Sequence, residues 1–449
     1  MRRRSLLQML ASLAALPAPW RVHAAQAQTV IVVGAGISGL AAARTLADAG
    51  HAVVVLEARE RIGGRIHTSR AWKDAPMDLG ASWIHETDGN PITALARKAG
   101  ARTVGTSYDS SIGYGRSGQP FTRAERERMD ELQRRIDDVI EAAQEADADQ
   151  SLKAAVEAGL RWNSLSADDR ALAGLLLNSA IEHEYAGSLG ELSTWWWDDD
   201  GGYDGGDVLF PDGFGAIPEF LARGLDLRTG QVVERIEHGT EGVRVHAGSQ
   251  TLAADHVVVS VPLGVLEAGA IEFSPGLPQA KRKAIDGLAM GVLNKCFLRF
   301  PRAFWPTEVD WIERVPERHG EWTEWVSFVR PSGQPVLLGF NAADYGRRIE
   351  ALGDREIVAG AMQVLRGLYG PDIPDPVAHQ ITRWARDPHA LGSYSFNPVG
   401  SDPKLRDALA ASVGGRLHFA GEACERKHFA TTHGAYLSGL RAARTIIEG

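Results

Sequence analysis

Cysteine is nearly missing from this chain. Only Cys296 and Cys424 occur in 449 residues, which excludes a disulfide framework, allows one bridge at most, and leaves no Cys/His spacing for a metal site. The body of the chain has no apolar run of transmembrane length, so no membrane insertion is expected there. An excess of positive charge is also lacking. The formal net charge of −9 argues against nucleic acid and mildly favours cationic partners. Repeats and low-complexity blocks are absent. What remains is 44% hydrophobic and 23% charged, ordinary for a globular chain long enough for two domains or one composite domain.

The first residues read as an address. Arg2, Arg3 and Arg4 precede a short apolar segment from Ser5 to Leu16, then Pro17, Pro19 and small residues. A-x-A-like cleavage sites follow Ala24 or Ala27, which predicts an export signal over residues 1–27. The paired arginines resemble the twin-arginine type and point to a periplasmic or secreted protein. A basic tail with no targeting role is the alternative.

The richest stretch runs from Thr29 to Glu57. A buried-strand run (Val30 to Val33) leads into Gly34, Gly36 and Gly39 at G-x-G-x-x-G spacing, then a small-residue helix, a second apolar run and Glu57. Gly34 makes the tight turn, Gly36 admits backbone N–H groups to a pyrophosphate, and Gly39 lets helix and strand approach. The helix N-terminus faces the phosphates, and Glu57 is placed to accept hydrogen bonds from a ribose. Gly63 and Gly64, flanked by Arg61 and Arg65, follow as a phosphate-compatible loop. Small residues beside Trp83 and His85 suit a flat ring.

Further on, Thr122 and Glu125 form a capping box before an apolar stripe of Leu132, Ile136 and Ile140. A second helix is expected from Ser166 to Tyr185. The stretch 193–215, rich in Trp, Asp and Gly, reads either as an acidic entrance for a cationic substrate or as a returning loop. Strands follow, the run HVVVSVP among them, then mixed strands with a helix from Asp354 to Tyr369, and a closing helix.

Separated segments along the chain fit one pattern, and the chain resembles the flavin-dependent amine oxidase family. The matching stretches are VVGAGISGLAAA with Glu57, RIGGR, LGASWIH, LNK, RW, GSYSF, FAGEACE and HGAYLSG, in family order. Their wording is most similar to the polyamine oxidases. The resemblance implies an α/β (α+β composite) fold: a discontinuous Rossmann-like FAD domain with a substrate domain of mixed sheet and helices. The FAD domain would comprise residues 28–95, 206–268 and 384–449, and the substrate domain 96–205 (helical) and 269–383.

The resemblance also implies site roles. Gly34, Gly36, Ser38, Gly39, Glu57, Ala58, Arg59, Gly64 and Arg65 would hold the ADP half of FAD, with Val233 at the adenine. Gly421, Glu422 and Ala435 would approach from the opposite side, and Gly80, Ala81, Ser82 and Trp83 would lie against the cofactor. Lys295 matches a lysine that holds a water against flavin N5, and Trp384 a tryptophan packed by the ring. Tyr394 and Tyr436 match two aromatic walls of a substrate cage. His85 and Glu184 are further active-site candidates. Leu391, Gly392 and Ser393 stand where some relatives carry a flavin-linked cysteine, so non-covalent FAD is expected.

The activity implied is oxidation of a primary or secondary amine, most simply a polyamine, with oxygen or another electron acceptor. A cyclic nicotine-like amine, an L-amino acid, or a non-catalytic relative of the GDP-dissociation inhibitors are the alternatives. Each residue alone has a plainer reading as core or wet face. Only their joint occurrence raises the catalytic one.

Overall fold

The computed structural model describes residues 27–449, so all but the last residue of the expected export signal lies outside the described residues. A five-stranded, all-parallel sheet stands at one end. Its order is Leu417–Phe419, His256–Val259, Thr29–Val33, Ala52–Leu56, Asp226–Arg228. Buried on both faces, the central strands use near-continuous apolar runs rather than alternation. One face packs the helices Ile37–Asp48 and Thr432–Glu448, which approach closely through small residues. A Cβ on Gly439 would meet the Ser38 carbonyl oxygen at 2.1 Å. The other face packs a four-stranded sheet and the helices Gln279–Asp286 and Lys404–Ala410.

A six-stranded sheet forms the roof of the second domain. Its order is Ala378–Ile381, Leu293–Arg299, Val336–Ala342, Glu324–Ser327, Trp311–Arg314, Ser111–Tyr114. All neighbours are antiparallel except the last pair. The Asp354–Tyr369 helix, at the expected bounds, covers one face through Ile357, Ala361 and Leu365. Helices Arg123–Gln144, Leu152–Gly159 and Ala167–Leu177 form a separate bundle. The first begins at the expected Thr122–Glu125 box.

Three sequence expectations differ from the structure. Residues 271–290, assigned to the second domain, share the core of Val257 and Val259, because Glu272–Ser274 joins the four-stranded sheet beside Val233–Gly239. The region 96–205 is not purely helical: Val104–Thr106 and Ser111–Tyr114 pair with distant strands. The expected helix from Ser166 to Tyr185 contains a π-turn at Asn178–Glu182. Such turns widen a helix locally and recur at functional sites.

Candidate active site

A cavity of about 950 Å³ runs between the two sheets, near the upper end of the range for small-molecule sites. At one end lies the turn after the first strand. Gly34 sits at φ +104°, where a side chain is strained, and a Cβ on Gly36 would meet nothing within 4 Å. The helix starting at Ile37 has no side-chain cap and no acid in its first turn, so its free N–H groups face the cavity end uncompensated. Glu57 is buried beside them. Its two oxygens accept from the amides of Ala35 (2.8 Å) and Arg59 (2.9 Å). Val233 lines the same end. An uncapped helix start, a glycine cradle and a buried acid fit a dinucleotide.

Midway, Arg65 bridges the two halves. Its Nη1 donates to Glu422 Oε1 at 2.9 Å and to the Ser393 carbonyl at 3.0 Å. Burial opposes a charge on Glu422, but the Arg65 and Arg406 guanidiniums and the Ser395 hydroxyl hold its carboxyl below the usual range. Gly80 is obligatory here, since a Cβ would meet the Arg65 carbonyl oxygen at 1.7 Å.

Lys295 enters from the roof. Its ammonium donates to the carbonyls of Gly80 (2.6 Å) and Asp78 (3.1 Å) and to Ser82 Oγ (2.5 Å). Burial lowers its pKa, partly offset by Asp78, whose own carboxyl burial pushes up. Trp384 packs nearby, its indole N–H donating to the Leu79 carbonyl at 3.2 Å. Tyr394 donates to the His183 carbonyl at 2.7 Å, and burial raises its pKa well above the ordinary value.

The remaining wall is acidic and aromatic. Glu86, Glu184, Asp200, Asp207, Glu313 and Glu324 all line it. His85 Nδ1 lies 2.9 Å from Asp207 Oδ2, brought there by pairing of Trp83–Ile84 with Asp207–Leu209. Enclosure works against a charged imidazole, but the Asp207 hydrogen bond and the fields of Glu184 and Glu86 raise its pKa. Asp200 accepts from the Tyr185 hydroxyl at 3.3 Å, and burial lifts its carboxyl to about 6.

Of the residues to which the resemblance gives a cofactor or catalytic role, all but two line this one cavity. Gly39 lies behind it. A Cβ there would meet the Gly34 carbonyl oxygen at 2.0 Å, so its part is close packing of helix on strand. Tyr436 is corrected: it packs on the core beneath the Ile37–Asp48 helix and does not reach the cavity. On the Thr432–Glu448 helix, Ala435 holds the cavity-facing position and the next residue turns away. Tyr394 therefore has no tyrosine partner from that helix. Tyr108, His183, Trp311, Glu313, Glu324 and Phe340 also line the cavity. They carry no motif: strand pairing gathers Trp311, Glu313, Glu324 and Phe340, while Tyr108 arrives on a loop and His183 on the helix after the π-turn.

Comparison with known proteins agrees with this geometry. The family described as flavin containing amine oxidoreductase matches residues 37–447. Polyamine oxidase 4 of Oryza sativa subsp. japonica is 34% identical over 432 residues, covering 92% of this chain and 88% of that protein. Protein FLOWERING LOCUS D of Arabidopsis thaliana is 37% identical, covering 94% of this chain but 55% of its own length. The chain thus spans about half of that relative and of the lysine-specific histone demethylase homologues it matches (52% for homolog 1 of Arabidopsis thaliana). In fold, it is similar to a redesigned putrescine oxidase (TM-score 0.78, 21% identity, 94% of this chain and 99% of that one). It is equally similar to the cyclohexylamine oxidase of Brevibacterium oxydans (TM-score 0.77, 23% identity, the same coverage). With a match across nearly the whole described chain, the protein belongs to the flavin containing amine oxidoreductase family.

Proposed function

We propose that this protein is an FAD-dependent amine oxidase acting on a polyamine or a related primary or secondary amine. The observation that carries the reading is the polarity of one cavity. Its floor offers helix N–H groups, Arg59 and Arg65 to an anionic cofactor, and its far wall offers carboxylates and aromatic faces to a cation. Gly34, Gly36, Ser38, Glu57, Val233, Arg65 and Glu422 would hold the FAD, non-covalently, since neither Cys296 nor Cys424 lines the cavity. The flavin, when bound, would accept a hydride equivalent from the carbon next to nitrogen.

The chain's own residues do the rest. Tyr394, fixed by its bond to the His183 carbonyl, offers a ring face against which an amine is oriented with little loss of side-chain freedom. The acidic wall draws in the protonated amine. Asp207 and His85 then form an acid–base pair at that wall, able to take the proton that an amine must lose before oxidation. Lys295, positioned by three oxygens, would offer a buried positive centre to negative charge developing in the cavity. The export signal expected at residues 1–27 would place this activity in the periplasm or outside the cell. Anaerobic addition of spermidine should bleach the flavin absorbance of the purified protein. Failure across polyamines, diamines, monoamines and cyclic amines would remove the reading.

A further inference from the structure

The roof sheet lays a straight row of side chains along the cavity. Lys295 is the cross-strand partner of Phe340, and Glu313 is the partner of Glu324. Trp325 pairs with Gly339, so the same antiparallel register carried one residue further sets Glu324 opposite Phe340. Cross-strand partners project from one face of a sheet. All four residues line the cavity. Adjacent strands lie about 4.8 Å apart, so three steps put Glu313 roughly 14 Å from Lys295, backbone to backbone.

The acids of the cavity are not equivalent. Glu324 is held by His183, Asp207 by His85 and the Glu86 amide, and Asp200 by Tyr185. The Glu313 carboxylate, partly buried, has no hydrogen-bond or ion-pair partner among the described residues; Glu184 shares that lack but is exposed and lies off this row. Beside it the wall is paved with rings. Trp311, two residues earlier on the same strand, stacks on Trp83 (5.9 Å, 24°) and on Tyr108 (4.4 Å, 23°). An unpaired carboxylate next to aromatic faces suits an ammonium on an aliphatic stem.

We propose that Glu313 receives the distal ammonium of a linear amine whose oxidised end lies beside Lys295, so that the sheet measures substrate length. This rests on the amine-oxidising reading above and extends it to a substrate class. The substrate is a long, flexible molecule with at least two cationic nitrogens, on the scale of an extended spermine. A short diamine or a compact cyclic amine engages the reacting end but leaves Glu313 unpaired.

The test compares flavin-loaded full-length wild type with E313Q on spermine, spermidine, putrescine and benzylamine, and includes anaerobic titration with spermine. E313Q keeps the side-chain shape and removes the charge. The expected result is a roughly ten- to hundred-fold loss in kcat/KM for spermine, carried by KM. Putrescine and benzylamine, which do not span to Glu313, should lose several-fold less than spermine, and E313D should recover part of the loss. Equal losses on all four amines, or none on spermine, would overturn the length assignment alone. A wild type that oxidises putrescine and spermine equally well would do the same. A wild type that oxidises none of them would overturn the amine reading along with it.

Discussion

Arg65 and Glu422 meet at 2.9 Å across 357 residues of sequence and tie the first and last segments together at the cavity. Glu422 is 4% exposed, so its charge depends on this contact and on Arg406. Removing one partner of a buried pair leaves the other charge uncompensated. Arg65→Ala should therefore cost about 3 kcal/mol of stability and loosen the flavin. Adding Glu422→Gln should recover part of that loss. Thermal melting with flavin absorbance checks this, and strict additivity of the two changes would contradict it.

Lys295→Met deprives three oxygens of their donor. Loss of a preorganised positive group aimed at developing negative charge typically costs about 10²–10³ in rate. Oxygen-monitored turnover should fall by that order, while anaerobic bleaching by amine changes far less. Stopped-flow measurement of the two halves separates them, and equal losses in both would show that Lys295 serves amine oxidation instead.

The two tyrosines should behave differently. Tyr394→Phe removes a hydrogen bond to the His183 carbonyl inside the cavity, worth about 1–2 kcal/mol, and should lower kcat/KM about ten-fold. Tyr436→Phe touches only the packing beneath the first helix and should stay within about two-fold. Steady-state kinetics with one amine decides it. A large effect at Tyr436 would contradict the corrected placement.

Glu313 gives a pH prediction. Burial, then the charge of Glu324 opposite, pushes its carboxyl up to about 7. A raised pKa means that the folded chain holds this proton more tightly than the unfolded one. The contribution is complete below the ordinary carboxylate range and is lost as pH climbs through about 7. E313Q cannot suffer that loss. Without amine, its melting temperature should therefore gain on wild type as pH rises from about 5 to about 8. A constant difference would contradict the assignment.

Much of the fold could be read locally. The turn from Gly34 to Gly39 and the Thr122–Glu125 box announce their elements, because the cause of each lies within a few residues. The Asp354–Tyr369 helix also stands at its expected bounds. The misreadings are failures of register and pairing. The resemblance sets Tyr436 one helical position off the face that Ala435 occupies. Residues 271–290 read with the strands that follow them in the chain, whereas the parallel pairing of Arg235 with Glu272 decides where they belong. Glu313 and Glu324 lie in strands unmarked by any motif. Their meaning comes from Lys295 and Phe340, neighbours in the sheet rather than in the chain.

The parallel sheet draws its strands from residues 29–56, 226–259 and 417–419, and the cavity floor needs the last of these with Gly421 and Glu422. A growing polypeptide therefore cannot finish this cavity floor until residues 417–422 have left the ribosome. A product cut short before Leu417 would lack that floor however well its first βαβ unit had formed.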